Sequence, residues 1–243
     1  MLINEIHQLK TDFDTLVTPE AVLAKYGWKL LGTGTEAAVA EHPTKDYVLK
    51  VFLSKSNFKQ FVKFVVDHKG NPHLPIFISG SEANDMLPIQ ENRRMTIPGI
   101  MSNIPGTRYS FIRIERLDKI SERNLMKNYA PEMLYVYLEG LKLGLPGVRE
   151  EMYTAMRQKI MIWNQLQGKP KAAIDAFIRT LVVDTDQRTQ LWEKLGRSPD
   201  AAWVSVVQEL FPFTKTMNRR GLDLDANNVM LRGNTLVIID PFV

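Results

Sequence analysis

The sequence contains no cysteine, so disulfide bonds and metal sites built from thiolates are excluded. It also lacks any run of about 18 to 20 apolar residues, the length that a membrane-spanning helix needs. The first 14 residues, MLINEIHQLKTDFD, do not show the basic start and apolar run that mark a secretory signal. These absences favour a cytoplasmic protein in a reducing compartment, without a membrane partner.

The sequence also has no large excess of charge of one sign. Its 31 Lys and Arg against 27 Asp and Glu give a net charge of +4, and the basic residues are spread along the chain. That balance suits a phosphate-bearing ligand, but direct nucleic-acid binding is not expected, because it needs a basic patch or stripe. Apolar residues make up 44% of the 243 positions, which suffices for one large domain or two smaller lobes.

The strongest pattern lies near the end of the sequence. Asp223 and Asn228 stand five positions apart in a polar loop, and two short apolar segments follow, joined by a turn at residues 232–234. Asp240 comes directly after the second segment, which predicts a β-hairpin between the loop and this carboxylate. Because Asp and Asn are also common turn residues, a plain surface hairpin with polar ends is the alternative interpretation. The Asp-x-x-x-x-Asn loop, the hairpin and the following Asp match the catalytic loop and metal-binding Asp of protein kinases.

The first half of the sequence predicts a small antiparallel sheet. Residues 28–31 are strand-like, residues 32–35 contain two glycines and predict a turn, and strands follow at 37–41 and 46–53. Glycines in such a turn let backbone N–H groups approach phosphate oxygens. Lys50 lies inside the third strand, where its ammonium group would supply a point charge to a nucleotide.

A helix is predicted over residues 54–69, with a broad apolar face. In a protein kinase the corresponding helix carries a glutamate that pairs with the strand lysine, yet the first acid here is Asp67, near the far end. Either Gln60, Asp67 or a residue from elsewhere holds Lys50, or the pair forms on activation, or it is lost.

The middle of the sequence predicts one more strand and then helices. Residues 108–117 alternate as a strand. In a protein kinase the end of this strand is the hinge between the lobes, and the backbone groups of Glu115 and Leu117 would then bind adenine. The alternative is an ordinary amphipathic strand end. Glycines and prolines divide the following residues, 118–220, into separate helices. These helices are predicted at 131–142, 148–167, 169–181, 186–195 and 198–219, the last with Ser198 as N-cap.

Taken together, the sequence resembles the protein kinase family, and more closely the early serine/threonine protein kinases of teseptimavirus-type (autographivirus) bacteriophages. The resemblance implies an α+β, two-lobed minimal kinase-like fold. Residues 1–117 would form N-terminal helices and a nucleotide-binding small lobe, an antiparallel sheet with one main helix. Residues 118–243 would form a helical lobe with the catalytic loop and metal-binding hairpin, truncated after the metal-binding Asp. The residues that carry the resemblance are 27–34, 38, 42–43, 48–51, 70–75, 223, 228–230 and 240–241.

The resemblance also implies an activity: transfer of the ATP γ-phosphate to Ser or Thr of host proteins in the host cytoplasm, with autophosphorylation allowed. Asp223 and Lys50 would be the catalytic residues, Asp223 accepting or orienting the proton of the substrate hydroxyl. Asn228 and Asp240 would bind Mg²⁺. ATP would be bound by Leu31, Gly32, Thr33, Gly34, Val39, Lys50, Glu115, Leu117, Asn228 and Asp240.

Several positions depart from the kinase pattern, and two alternatives stay open. One is a catalytically inactive kinase-fold protein that binds and inhibits a host protein. The other is a small-molecule phosphotransferase of the antibiotic-kinase type, which shares the Asp-x-x-x-x-Asn loop. The pattern makes no prediction about oligomeric state. The departures are Ala37 for the third glycine, Gly221-Leu222 for His-Arg, Asp225 where many serine/threonine kinases place Lys, and Asp240-Pro241-Phe242 for Asp-Phe-Gly.

Overall fold

A computed structural model describes residues 27–33, 37–53, 57–78, 90–92, 109–145, 150–216 and 221–242. These residues form two compact units. The first unit contains the described residues through Lys69 and those of Pro75–Arg116, and the second contains Gly70–Leu74 and the described residues from Leu117 onward. The α+β fold, an antiparallel sheet followed by a helical region, is confirmed. The helices predicted within residues 1–26 lie outside the described residues.

The first unit is built on a five-stranded antiparallel sheet. The strands are β1 (Lys29–Thr33), β2 (Ala37–Glu41), β3 (Tyr47–Leu53), β4 (Gln90–Asn92) and β5 (Tyr109–Glu115). Their order across the sheet is β1-β2-β3-β5-β4, and every neighbouring pair is antiparallel. A β-bulge between Leu30 and Gly32 shifts the register in which β1 pairs with β2. A turn was predicted over residues 32–35, but β1 continues to Thr33. The prediction is therefore wrong for Gly32 and Thr33, which are strand residues.

One helix packs its apolar side chains into the core of the first unit. Helix α1 (Phe58–Asp67) buries Phe58, Phe61, Val62, Phe64 and Val65, positions three and four apart that share a face. The ring of Phe58 makes an edge contact with that of Phe52 in β3, with centroids 4.9 Å apart. The helix predicted over residues 54–69 is therefore confirmed.

Six helices make up most of the described part of the second unit. The five helices predicted after residue 130 are confirmed, whereas β6 (Asp118–Lys119) and the first of these six helices were not predicted. The helices are α2 (Glu122–Asn128), α3 (Ala130–Leu143), α4 (Glu150–Trp163), α5 (Lys171–Val183), α6 (Thr185–Lys194) and α7 (Ala201–Thr216).

Helix α3 lies in the interior of the second unit, since all its residues from Ala130 to Gly140 are buried. Helix α7 is joined to it by the indole N–H of Trp203, which donates to the carbonyl of Glu132 at 3.1 Å. The N-cap of α7 is Asp200, whose Oδ1 accepts from the backbone N–H groups of Ala202 and Trp203 at 2.8 and 3.2 Å. The prediction of Ser198 as this cap is wrong, because the helix begins at Ala201.

A three-stranded sheet completes the second unit, in the order β6-β7-β8, with β7 at Val229–Arg232 and β8 at Thr235–Ile238. The β7–β8 hairpin closes through the two residues Gly233 and Asn234, and Gly233 has a φ of 59°. A positive φ at the first turn position is what glycine accommodates in tight hairpins, so the predicted hairpin is confirmed. Among the helices of the described ranges, none is long and apolar enough to cross a membrane.

Candidate active site

The loop that carries Asp223 is tied to the chain that follows β8. The backbone N–H of Asp223 donates to the carbonyl of Pro241 at 2.8 Å, and Leu222 forms a β-bridge with Phe242. Asp223 itself is only 6% exposed, and Leu222 and Leu224 on either side of it are buried. Two apolar anchors and a backbone bond therefore hold this carboxylate beside the segment that begins at Asp240.

Asn228 joins the other two parts of the site. Its side-chain amide Nδ2 donates to the backbone carbonyl of Asp223 at 2.8 Å. Its own backbone carbonyl accepts from the N–H of Ile239 at 2.9 Å, one residue before Asp240. The structure thus brings together the backbone positions of Asp223, Asn228 and Asp240, which were predicted as one site.

The chemistry of Asn228 and Asp240 suits a magnesium ion. Because Nδ2 of Asn228 is a donor to a carbonyl, the amide orientation leaves Oδ1 as the atom able to coordinate a cation. Asp240 adds a carboxylate, and Mg²⁺ is usually held by one or two carboxylates together with phosphate oxygens and water. Among the described residues no group of three or more His, Cys, Asp or Glu is placed to hold a metal ion. The two residues therefore fit a metal that a phosphate helps to bind, rather than a cage made entirely of protein.

Asp225 has a structural role inside the same loop. Its Oδ1 accepts from the backbone N–H groups of Asn227 and Asn228 at 2.7 and 3.2 Å, the pattern of an Asx turn. Its backbone carbonyl accepts from the N–H groups of Asn228 and Val229. The carboxylate of Asp225 thus closes the loop on itself.

Lys50 lies in the first unit and is only 6% exposed. Its Nζ is 3.6 Å from the ring centroid of Phe58, at the start of α1, close enough for a cation–π interaction. Gln60 and Asp67, the polar partners considered from the sequence, are exposed. An aromatic ring of α1 therefore contacts the ammonium group, a partner that a search for acidic residues could not find.

Of the other predicted ATP-binding residues, Val39 lies directly opposite Lys50 in the sheet. The two are direct cross-strand partners between β2 and β3, so their side chains share one face of the sheet. Gly32 and Thr33 lie at the end of β1, with Gly32 opposite Val39. Leu31, at the bulge in β1, is exposed. Gly34 lies outside the described residues.

The predicted hinge residues stand where the first unit passes into the second. Glu115 ends β5, and its Oε1 accepts from the backbone N–H of Ile76 at 2.7 Å, while its own N–H donates to the carbonyl of Ile76. Arg116, the next residue, forms an ion pair with Glu41. Leu117 is the first residue of the second unit after this strand. The carboxylate of Glu115 is thus engaged with its own unit.

A pocket of about 510 Å³ in the second unit was not predicted from the sequence. None of the predicted site residues lines it. Its signal in the sequence was weak, because its charged residues are far apart along the chain and pair only in the folded unit. The lining residues are Pro72, His73, Asn128, Tyr129, Glu132, Arg197, Asp200, Asn234, Thr235 and Leu236.

A forked ion pair forms one wall of this pocket. Both carboxylate oxygens of Glu132 accept from the guanidinium of Arg197, and the hydrogen bond to this carboxylate raises the pKa of Arg197. The guanidinium also donates to the carbonyl of Asn128 at 2.8 Å. Burial, and after it the charge of Glu132, raises the pKa of the Tyr129 phenol.

No family model matches the chain. No curated protein matches its sequence. Among solved structures it is similar to a spectinomycin phosphotransferase in complex with ADP and spectinomycin, at 16% identity and a TM-score of 0.34, over 88% of this chain and 64% of that one. The chain thus spans 64% of the length of that phosphotransferase.

Two aminoglycoside phosphotransferases are similar at the same level. One is a thermostable mutant in a ternary complex with ADP and hygromycin B, at 14% identity and a TM-score of 0.33, over 91% of this chain and 69% of that one. The other comes from Alicyclobacillus acidocaldarius, at 12% identity and a TM-score of 0.34, over 94% of this chain and 68% of that one.

Proposed function

We propose that this protein transfers the γ-phosphate of ATP, with Mg²⁺, to a Ser or Thr hydroxyl of a host protein. The observation that supports this most is the set of hydrogen bonds that joins Asp223, Asn228 and the segment of Asp240. A carboxylate beside two hard-oxygen ligands is the arrangement that phosphoryl transfer needs, since positioning and charge stabilisation supply most of its catalysis.

In this proposal Asp223 is the catalytic residue that meets the acceptor. Its carboxylate would accept a hydrogen bond from the acceptor hydroxyl and take up its proton as the new O–P bond forms. The bond between the β–γ bridging oxygen and the γ-phosphorus breaks, and ADP leaves. Asn228 and Asp240 would hold Mg²⁺, which neutralises charge on the phosphates when it is bound.

The residues of the first unit would bind the nucleotide. Lys50 would contact the α- and β-phosphates, with Phe58 keeping its ammonium group in place by cation–π attraction. Val39 would lie beside the nucleotide on the same face as Lys50. The residues Leu31, Gly32, Thr33 and Gly34 would cover the phosphates, and the backbone groups of Glu115 and Leu117 would bind adenine.

A small-molecule acceptor is the second candidate, and Asp225 is the observation that favours it. Many serine/threonine kinases place a lysine at this position to compensate the charge of the γ-phosphate, whereas here a carboxylate is committed to closing the loop. A phosphotransferase for a cationic small molecule has no need of that lysine, since its substrate brings positive charge of its own.

The test is a transfer assay with γ-labelled ATP and Mg²⁺, with and without a bacterial cell extract, on the wild type and on Asp223→Asn and Lys50→Met variants. Label on extract proteins or on the protein itself, lost in both variants, supports protein phosphorylation. Label appearing in small amino-alcohols added to the assay, and not in proteins, supports the small-molecule acceptor. Folded protein that transfers no label to either acceptor would overturn the proposal in favour of an inactive kinase-fold protein that captures a host partner.

A further inference from the structure

Residues 70–74 form a short segment of the second unit, here called the strap, that is bound through both backbone and side-chain atoms. The carbonyls of the residues on either side of His73 both accept from Arg232 in β7: that of Pro72 at 2.9 Å and that of Leu74 at 3.0 Å. The side chain of Asn71 donates to the carbonyl of Ala202 in α7 at 3.1 Å. The strap therefore connects the first turn of α7 to the β7–β8 hairpin.

His73, in the strap, lies against both of these elements and is only 4% exposed. Its Nδ1 is 2.7 Å from the carbonyl oxygen of Leu236 in β8, and its Nε2 is 2.9 Å from Oδ1 of Asp200. Its own backbone carbonyl accepts from the N–H of Ile238 at 2.9 Å. The indole of Trp203 packs edge-on against the ring, with centroids 5.3 Å apart.

Both ring nitrogens of His73 thus face oxygen atoms that can only accept, as long as Asp200 is ionised. A neutral imidazole has one donor and one acceptor nitrogen, so it can make one of these two hydrogen bonds and sets a lone pair against the other oxygen. The ring makes both bonds when it carries both protons. The hydrogen bond from His73 lowers the pKa of Asp200, which keeps this carboxylate in its accepting form.

The hairpin that His73 holds is the element that positions the two proposed metal ligands. Asn228 directly precedes β7, and Asp240 follows β8 after one residue. Four hydrogen bonds join the strap to this hairpin: the ring to Leu236, the backbone carbonyl of His73 to Ile238, and two from Arg232 to the strap. The ring therefore contacts the element that has Asn228 and Asp240 just beyond its two ends.

We propose that His73 is a positioning residue, which in its doubly protonated form fixes the β7–β8 hairpin and with it the spacing of Asn228 and Asp240. The role of His73 in spacing the metal ligands rests on the proposed phosphotransfer, whereas its effect on the rigidity of the hairpin does not depend on that function. When the ring loses a proton, one of its two bonds is lost and the hairpin becomes less rigid. The charged and titratable groups around the strap and its pocket are Asp200, Glu132, Tyr129, Arg197 and Arg232.

The direct test is amide hydrogen exchange of the hairpin, Val229 to Ile238, measured from about pH 5.5 to about pH 8.5. The wild type is compared with His73→Gln and with Asp200→Asn, which keeps an acceptor at the N-cap of α7. His68→Gln is the matched control, since His68 lies outside the strap, at the end of α1.

Wild-type protection of the hairpin, corrected for intrinsic exchange, should fall about tenfold as the pH rises, the factor expected when one charge-assisted hydrogen bond is lost. In His73→Gln it should be low at every pH, and in Asp200→Asn the pH dependence should be weaker. The control should follow the wild type. The proposal would be overturned if both His73→Gln and Asp200→Asn showed the same protection and the same pH dependence as the wild type. If one variant fails to fold, the other decides.

A second readout separates this proposal from the proposed function. The affinity for ADP is measured by calorimetry with and without Mg²⁺ at both ends of the pH range. His73→Gln should weaken binding of the Mg²⁺ complex about tenfold and leave metal-free ADP unchanged, because only the metal ligands are displaced. If the wild type binds neither form, the phosphotransfer function fails, while the exchange experiment still decides whether His73 positions the hairpin. Equal weakening with and without metal would argue against positioning through Asn228 and Asp240.

Discussion

The side-chain amide of Asn228 donates a 2.8 Å hydrogen bond to the backbone carbonyl of Asp223. One side chain thereby does two things: it fixes the loop that presents the proposed proton acceptor, and it orients its own oxygen for a cation. Because both effects depend on one amide group, the acceptor side and the metal side of the site are coupled through Asn228.

We expect Asn228→Ala to lower phosphotransfer at least about 10- to 100-fold, since it removes a metal ligand and the bond that orients the loop. The loss should be partly recovered at high Mg²⁺, which a titration of initial rates against the metal would show. Asn227→Ala, which removes an exposed amide at the neighbouring position, is the control and should keep its activity within a factor of about two. Unchanged activity of Asn228→Ala at low Mg²⁺ would contradict the metal assignment.

The contact between Lys50 and Phe58 should be measurable as a coupling energy. A double-mutant cycle of Lys50→Met and Phe58→Leu, followed by urea unfolding, is expected to give about 0.5 to 2 kcal/mol, the range of cation–π interactions from exposed to desolvated sites. Phe58→Leu should also weaken ATP binding, because the ammonium group loses the ring that holds it in place.

Val62→Ala is the matched control for this cycle, since Val62 is a buried residue of the same helix and its aliphatic side chain has no ring. It should destabilise the fold while its coupling with Lys50→Met stays near zero. A coupling as large as that of Phe58 would mean that Lys50 senses general packing rather than the ring itself.

Arg197→Ala should destabilise the second unit. The side chain of Glu132 is 4% exposed, whereas that of Arg197 is 43% exposed. Removing the cation leaves a buried carboxylate with fewer partners, and we expect a loss of about 1 to 3 kcal/mol in the free energy of unfolding. This lies below the 3 to 5 kcal/mol typical of a fully buried pair, because water reaches the guanidinium.

Two further variants check this result by urea denaturation. The double variant Arg197→Ala/Glu132→Gln should recover part of the lost stability, because no uncompensated charge remains buried. Arg179→Ala removes an exposed arginine of α5 and should change the stability by less than about 0.5 kcal/mol. A double variant less stable than Arg197→Ala alone would show that the carboxylate is not the source of the penalty.

Asp200 should make the stability of the protein depend on pH on the acid side. Its pKa lies below the ordinary value of 3.8, chiefly because His73 hydrogen-bonds its carboxylate. A carboxyl group with a lowered pKa in the folded state stabilises the fold fully above its unfolded value and loses that contribution as the pH falls through the folded one. The stability difference between the wild type and Asp200→Asn should therefore stay constant above about pH 5 and shrink as the pH falls below it, as urea midpoints would show.

The control for the acid-side experiment is Asp186→Asn, which makes the same change at an exposed carboxylate in the first turn of α6. Its midpoints should follow those of the wild type throughout the series. A difference between wild type and Asp200→Asn that is constant with pH would mean that the bond to His73 does not stabilise the carboxylate form.

Local patterns were enough to predict the elements of the candidate site. The spacing of Asp223 and Asn228, the turn near Gly233 and the strand around Lys50 are each signals within about ten residues, where periodicity and turn chemistry act. Contacts between distant residues were beyond such patterns. His73 meets Asp200 and Leu236 across 127 and 163 positions of sequence, and nothing near His73 in the chain marks those partners.

The error at the start of α7 has a physical cause. Ser198 before a proline has the form of a helix start, yet the cap is Asp200, whose carboxylate also accepts a hydrogen bond from His73. For Lys50 the sequence left Gln60, Asp67 or a residue from elsewhere open, and the contact with the ring of Phe58 adds an aromatic group to these. Tertiary contacts of this kind are not displayed by a single sequence.

The last two amides of the hairpin region point to different partners: the N–H of Ile238 to the strap at His73, and the N–H of Ile239 to Asn228. Successive residues of a strand face opposite ways, so a slip of one position would exchange these directions and leave both acceptors unsatisfied. The hairpin is therefore specified against mispairing by its surroundings as well as by its turn. If one residue were inserted in a strand of the hairpin, Asp240 would follow from the opposite face of the sheet, even if every other residue stayed the same.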